Sequence, residues 1–259
     1  MEFGSLMLLN LGALIALMLG VWLLSLFLQD VSIVDIFWGI GFVVVAGISI
    51  ILADSPPPRA WLLAGMAFLW GLRLAGHLAW RKFGKPEDHR YRALRESYDK
   101  NFWLVSLWLV FGLQAVLIWV ISWPLQVAPG GSGGWNRWDF TAVAVWIIGF
   151  LFESVGDFQM ARFKSNPANQ GKVYSSGLWR FTRHPNYFGD FLVWWGLTLL
   201  AFAGGAPWWI IISPLTISFL LIRVSGVTLL EKSLKQRTPG YEEYMRRTSS
   251  FFPWPPKNG

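Results

Sequence analysis

Ionisable side chains inside apolar helices are costly, so the few this chain carries there mark where chemistry is to be sought. Asp35 stands in SIVDIFWG. Arg73 and His77 are four apart and share a helical face, as do Glu153 and Asp157 in FESVGDFQMARFK. Asp190 opens a further apolar run, and Arg223 and Glu231, eight apart, fall on one face of the last. A single such pair reads as glue between two helices. Five stretches that all place polar groups toward one end read as the walls of a shared polar cavity. His77 is the natural acid near neutral pH.

The densest cluster is RHPNYFGD, Arg183 to Asp190, directly before FLVWWGLTLLAF. Lys164, Lys172, Arg180 and Arg183 surround it, and Arg90, Arg92 and Arg95 follow the third apolar stretch. Guanidinium forks match phosphate oxygens bidentately. Asn186 sits where a helix begins, and the free N–H groups of a helix start favour anions. Tyr187 can lie flat against a ring while its hydroxyl reaches a partner. Pro185 comes just ahead of the helix proper, where its missing N–H matters least. The cluster thus suits the binding of an anion. PGGSGG at 129–134 lacks the spacing and the preceding strand of a phosphate loop and reads as a turn. With no cysteine and three histidines, no metal site is expected.

These groups need elements to hold them. The 259 residues are 54% hydrophobic and 14% charged, too apolar for a domain wetted on all sides. The 18 Trp and 20 Phe fit aromatic belts at a membrane surface. Seven stretches are long and apolar enough to span a bilayer: 5–28, 33–53, 60–80, 102–123, 139–162, 187–205 and 208–230. In lipid the backbone must satisfy its own hydrogen bonds, so the expected fold is all-α, a single seven-helix membrane domain with a tail at 231–259. The alternation of a barrel strand is absent. Of the 22 Lys and Arg, Arg59 and Arg137 fall on one side, Arg73 and Arg223 inside helices, and the rest on the other side. This places the N-terminus outside and the C-terminus in the cytoplasm. The net charge of +7 then reflects topology rather than nucleic-acid binding. The expected location is a bacterial inner membrane, or the endoplasmic reticulum in a eukaryote. No cleaved signal peptide is expected. MEFGS reads as a cloning remnant with Met7 the native start, since Glu-Phe and Gly-Ser are what two common restriction sites encode.

GLWRFTRHPNYFGDFLVWWG, from Gly177 to Gly196, resembles the signature of the membrane steroid 5-alpha-reductase family and its bacterial relatives of the DUF1295 class. SIVDIFWGIGF, WGLRLAGH and the tail PGYEEYMRRTSSFFPWPP resemble that class in the same order, over nearly the whole chain. The resemblance implies seven transmembrane helices and NADPH-dependent reduction of a carbon–carbon double bond conjugated to a ketone, as in a 3-oxo-4-ene steroid. It implies a cofactor set of Asp157, Lys164, Arg180, Arg183, His184, Asn186, Tyr187, Asp190, Arg223, Glu231 and Tyr244. Lys164 stands where those reductases more often have Arg. By position Asp35 resembles the glutamate that holds the ketone. The family's helix-three tyrosine falls near Trp70, which can donate but not shuttle a proton. Arg73 and His77 are the alternatives for polarising the ketone. The apolar substrate is expected to arrive sideways from membrane lipid, with no obligate protein partner.

RHPxYxG followed by such a tail also resembles the isoprenylcysteine and phospholipid methyltransferases, which use S-adenosylmethionine. A sterol binder or transporter without chemistry is a third reading, although no symmetry between halves and no interrupted helix pair supports transport.

Overall fold

A computed structural model describes residues 3–131, 134–224, 227, 231, 234–236 and 238–257. Among these the chain is helical, and its one β-type contact is an isolated parallel bridge between Thr182 and Ser249. Two compact units are formed, one from Met1–Gly134 with Ala201–Ile210, the other from Trp135–Leu200 with Ile211–Gly259.

In the first unit, α1 (Phe3–Leu28) is apolar all round yet buries only Leu6, Asn10, Leu14, Met18, Val21 and Ser25. That three-to-four spacing is one helical face, and its other faces expose Leu8, Leu23 and Phe27. A short turn, Val31–Ile33, leads into α2 (Val34–Ile51), with the Asp30 carboxylate accepting from the Ser32 N–H at 3.0 Å. Pro57 and Pro58 open α3 (Pro58–Lys82), where a missing N–H leaves no bond unmade. α2 and α3 meet at glycines: a Cβ on Gly39 would lie 2.4 Å from the Gly71 carbonyl oxygen, and one on Gly71 2.6 Å from that of Gly39. Small residues allow this approach of two backbones in lipid.

The segment expected as a loop after α3 contains a polar helix, α4 (His89–Tyr98), capped by Asp88 accepting from the Arg90 N–H at 2.9 Å. Its sequence HRYRALRESY carries too many charges to signal burial, and it buries no residue. The chain continues through α5 (Phe102–Ser106), a wider turn at Leu107–Gly112, α6 (Leu113–Ile121) and α7 (Trp123–Val127).

The second unit holds α8 (Arg137–Ser165), α9 (Pro185–Ala203) as far as Leu200, α10 (Ile212–Phe219) with a wider turn at Leu220–Val224, and α11 (Tyr241–Arg247). A capping box starts α8: Asn136 accepts from the Trp138 N–H at 2.9 Å, and Asp139 accepts from the Asn136 N–H at 2.7 Å. α9 includes Pro185 itself as its first residue, two residues before the 187–205 stretch read from the sequence.

Among the described residues, five helical segments are long and apolar enough to cross a membrane: Phe3–Leu28, Val31–Ile51, Pro58–Lys82, His89–Ile121 and Arg137–Ser165. The chain is a multi-pass membrane protein. Of the two further spans expected, Pro185–Ala203 opens with Asn186, Tyr187 and Asp190, which dilute its apolar character, and Trp208–Val224 is a shorter apolar helix. Part of 225–230 lies outside the described residues.

Candidate functional site

Glycines set the geometry of the second unit's polar cluster. A Cβ on Gly149 would come within 2.7 Å of the Gly189 carbonyl oxygen, one on Gly189 within 2.3 Å of the Glu153 nitrogen, and one on Gly196 within 2.8 Å of Trp146. Gly149 and Gly156 are seven apart on α8, as Gly189 and Gly196 are on α9, so two turns repeat each contact. The seam brings the start of α9 onto α8, where the Asn186 amide donates to Asp157 Oδ1 at 3.1 Å. Glu153, next to the seam, is buried.

The segment before α9, a short helical turn at Gly177–Arg180 followed by the bridge at Thr182, is held from both sides. On α8, Gln159 accepts from the Leu178 N–H at 3.0 Å, and the Gly156 carbonyl accepts from the Trp179 indole at 3.0 Å. From the tail, the Ser249 carbonyl accepts from the Arg183 N–H at 2.9 Å, the Phe251 carbonyl from the Thr182 hydroxyl at 2.8 Å, and the Phe181 carbonyl from the Trp254 N–H at 2.9 Å. The Tyr244 hydroxyl donates to the Trp179 carbonyl. The two stretches that look like signatures are therefore one structure: the tail is the second wall of RHPNYFGD.

Arg183 is the keystone. Its Nε and Nη2 donate to the two Glu231 oxygens at 2.7 and 3.0 Å, and Nη1 donates to the carbonyls of Met245, at 3.0 Å, and Thr248. These bonds use four of the five guanidinium N–H groups. His184, 2% exposed, donates from Nε2 to Glu231 Oε1 at 3.1 Å, and its ring stacks on Tyr187 with centroids 5.3 Å apart and planes 3° from parallel. Burial disfavours the Glu231 charge, but the hydrogen bonds from His184 and Arg183 outweigh it and hold the carboxyl below its usual range. Burial and the nearby Glu231 charge push the Tyr241 phenol up to about 12, so it stays protonated.

A cavity of about 560 Å³ opens beside this lattice, lined by Arg183, Ile222, Arg223, Val227, Glu231, Lys235, Met245 and Ser250. Its three cationic side chains outnumber its one carboxylate, and Arg183 and Glu231 are occupied with each other. The wall thus offers Arg223 and Lys235 to an anion, with Lys235 also 3.0 Å from Glu242. Arg223 and Glu231 line the same cavity. Lys235 escaped notice because nothing in its local sequence separates it from an ordinary tail lysine. Lys164 and Arg180 are exposed and Tyr244 is buried; none of them lines this cavity. Asp190 is half-buried on α9.

The first unit holds a different polar cluster. Asp35, in the first turn of α2, accepts from the Tyr91 hydroxyl at 2.7 Å (Oδ1) and from Arg90 Nη2 at 3.0 Å (Oδ2). Arg90 Nε also donates to Asp88 at 3.0 Å. Arg90 thus turns toward carboxylates, while Arg92 is exposed. Around them the segment after α3 is stitched to the α1–α2 turn: Glu87 accepts from the Val31 N–H at 2.8 Å, and Lys82 lies 2.6 Å from Asp30. Trp70 is a core residue with no exposure, its ring edge against Phe42 at 5.5 Å. Arg73 and His77 are half-buried on α3, His77 with its ring centroid 6.1 Å from that of Trp80. Tyr91 is the residue that sequence reasoning missed. The only signal was a phenol in the first turn of a helix capped by Asp88, and nothing local aimed it at a carboxylate 56 positions earlier.

Comparison with known proteins agrees in part with these readings. The family model described as a protein of unknown function (DUF1295) matches residues 21–248. The chain belongs to the DUF1295 family. The matched span contains Asp35, the RHPNYFGD cluster and Tyr244. A protein of Schizosaccharomyces pombe, described as uncharacterized, is 24% identical over 93% of this DUF1295 chain and 78% of its own length. A probable O-methyltransferase, ustE, of Ustilaginoidea virens is 36% identical over a shorter stretch, 29% of this chain and 26% of its own. No solved structure matches.

Proposed function

We propose that this DUF1295 protein is a membrane reductase of the steroid 5-alpha-reductase type. In this reading seven helices span the membrane, with the N-terminus outside and the C-terminus in the cytoplasm. The reaction is NADPH-dependent reduction of a double bond conjugated to a ketone, in an apolar molecule such as a 3-oxo-4-ene steroid that arrives from the bilayer. The observation that carries the reading is the Tyr91 hydroxyl on Asp35. An acid paired with a phenol is a device for holding a ketone oxygen, and α3 offers only the buried Trp70 where such a phenol is expected.

The donor set fits an anionic cofactor, because Arg223 and Lys235 line a cavity whose other charges, Arg183 and Glu231, pair with each other. When bound, NADPH would supply the hydride. Arg223 and Lys235 would hold its phosphate, and Asn186, fixed by Asp157, would offer an amide to its carboxamide or ribose. As negative charge develops on the ketone oxygen, the Tyr91 phenol would turn to it while Arg90 stays on Asp35, so the carboxylate keeps a partner, and the α carbon would then take its proton from water. Preorganised donors of this kind are worth on the order of 3–4 kcal/mol each. The test is incubation of the purified protein with a 3-oxo-4-ene steroid and NADPH deuterated at its transferable position. Deuterium at the β carbon of a reduced product is expected; unreacted steroid and unoxidised NADPH across a panel of apolar enones would refute it.

The similarity to a probable O-methyltransferase favours one second reading, S-adenosylmethionine-dependent methyl transfer. There the buried His184, oriented by Glu231, would serve as the base that takes the acceptor's hydroxyl proton. Transfer of labelled methyl from S-adenosylmethionine, lost in His184→Gln, would establish it in place of the reductase.

A further inference from the structure

A second cavity, of about 410 Å³, lies in the first unit where α1 ends and α5 begins. Ser25, Leu26, Gln29, Arg95, Phe102 and Trp103 line it. Arg95 is fixed before any ligand arrives. Its Nε and Nη2 donate to the two Glu87 oxygens at 3.1 and 2.9 Å, and its guanidinium carbon stands 4.4 Å from the centre of the buried Phe102 ring. Glu87 is itself anchored by the Val31 N–H. Among the described residues Nη1 makes no hydrogen bond, so this edge of the fork is unspent. Such an arginine has already lost the rotamer freedom that binding would otherwise cost.

The surroundings are those of a membrane surface. Phe27 is 85% exposed and Trp103 51%, next to Leu26 and Leu104, so apolar surface runs down from the cavity mouth. The Trp22 indole donates to the Trp103 carbonyl at 3.0 Å, and the two rings lie 6.3 Å apart, as aromatic residues gather at headgroup level. A cationic fork at the top of a greasy wall recognises a phosphate whose substituent is apolar.

We infer that this cavity binds a phosphate group, carried by a phospholipid headgroup, with Arg95 Nη1 as its donor and the acyl chains lying along Leu26 and Trp103. The site belongs wholly to the first unit and stands whether or not the reductase reading does. It is tested by titrating the detergent-purified full chain with dioctanoyl phosphatidylglycerol, dioctanoylglycerol and inorganic phosphate in parallel, following binding calorimetrically. Phosphatidylglycerol binding is expected, with dioctanoylglycerol, which lacks the phosphate, weaker by about tenfold or more. Arg95→Lys loses the fork, and Leu26→Trp fills the space without touching the Glu87 pair; each should weaken phosphatidylglycerol by about tenfold. Inorganic phosphate binding as tightly as the lipid, and lost in Arg95→Lys, would keep the phosphate site and overturn its lipid source. Equal binding of dioctanoylglycerol, or wild-type affinity in Leu26→Trp, would overturn the site.

Discussion

The two arginine–carboxylate clusters differ in what holds them and therefore in what they can do. In the second unit Arg183 and Glu231 are 8% and 11% exposed, and the guanidinium also binds two backbone carbonyls of the tail. In the first unit Arg90 is half exposed, Asp35 keeps two different partners, and one of these is a phenol. A buried pair that loses one member leaves a charge with nowhere to go, so it behaves as scaffold. A partly exposed carboxylate with two donors can lend one of them to a ligand and keep the other. The comparison assigns positioning to Arg183 and Glu231, and exchange of partners to Asp35 and Tyr91.

Breaking the scaffold should have the largest effect. Arg183→Ala leaves Glu231 with His184 as its partner and removes two side-chain bonds to the tail, and should destabilise the protein by about 3–5 kcal/mol, read as a fall in the unfolding midpoint in detergent. A loss of cofactor affinity at unchanged stability would instead make Arg183 a ligand. Next comes the exchanging cluster: Asp35→Ala and Tyr91→Phe should each lower turnover by about 100-fold while cofactor affinity stays within about twofold. Loss of cofactor binding in either would remove that residue from its proposed role.

Packing at the α8–α9 seam comes third. Gly189→Ala places a methyl 2.3 Å from the Glu153 nitrogen. It should cost about 1–3 kcal/mol, with Asn186 displaced from Asp157 and the cofactor bound more weakly. The smallest effect is on pH dependence. The Glu231 carboxyl is held below its ordinary value of 4.5, so its stabilisation is fully present above that pH. It fades as pH falls through the lower folded-state value. Glu231→Gln should be less stable at neutral pH and lose part of the wild type's additional acid sensitivity, compared by unfolding midpoints at pH 7 and pH 4.

Composition made the membrane class and the helical fold legible, because apolar runs of this length leave the backbone no other choice. Asp35 and the RHPNYFGD cluster were legible because polar groups in greasy sequence are conspicuous. Arg183 was marked as a phosphate ligand from its type alone, yet most of its donors go to Glu231 and the tail, a pairing across 48 to 65 positions that no local pattern encodes. Tyr91 was hidden for the same reason, within a polar helix that has no buried face. The glycine seam was present as two pairs seven apart, but each glycine alone looks like ordinary membrane-helix composition.

The central claim, that the second unit's cavity takes NADPH, is tested most directly by thermal unfolding of the detergent-purified protein with NADPH, NADH and S-adenosylmethionine in parallel. A ligand that binds only the folded state adds roughly 2.7 kcal/mol at a hundred times its dissociation constant. Stabilisation by NADPH alone is expected, reduced in Arg223→Ala and Lys235→Ala. Stabilisation by S-adenosylmethionine and not by NADPH would contradict it and give RHPNYFGD to a methyltransferase.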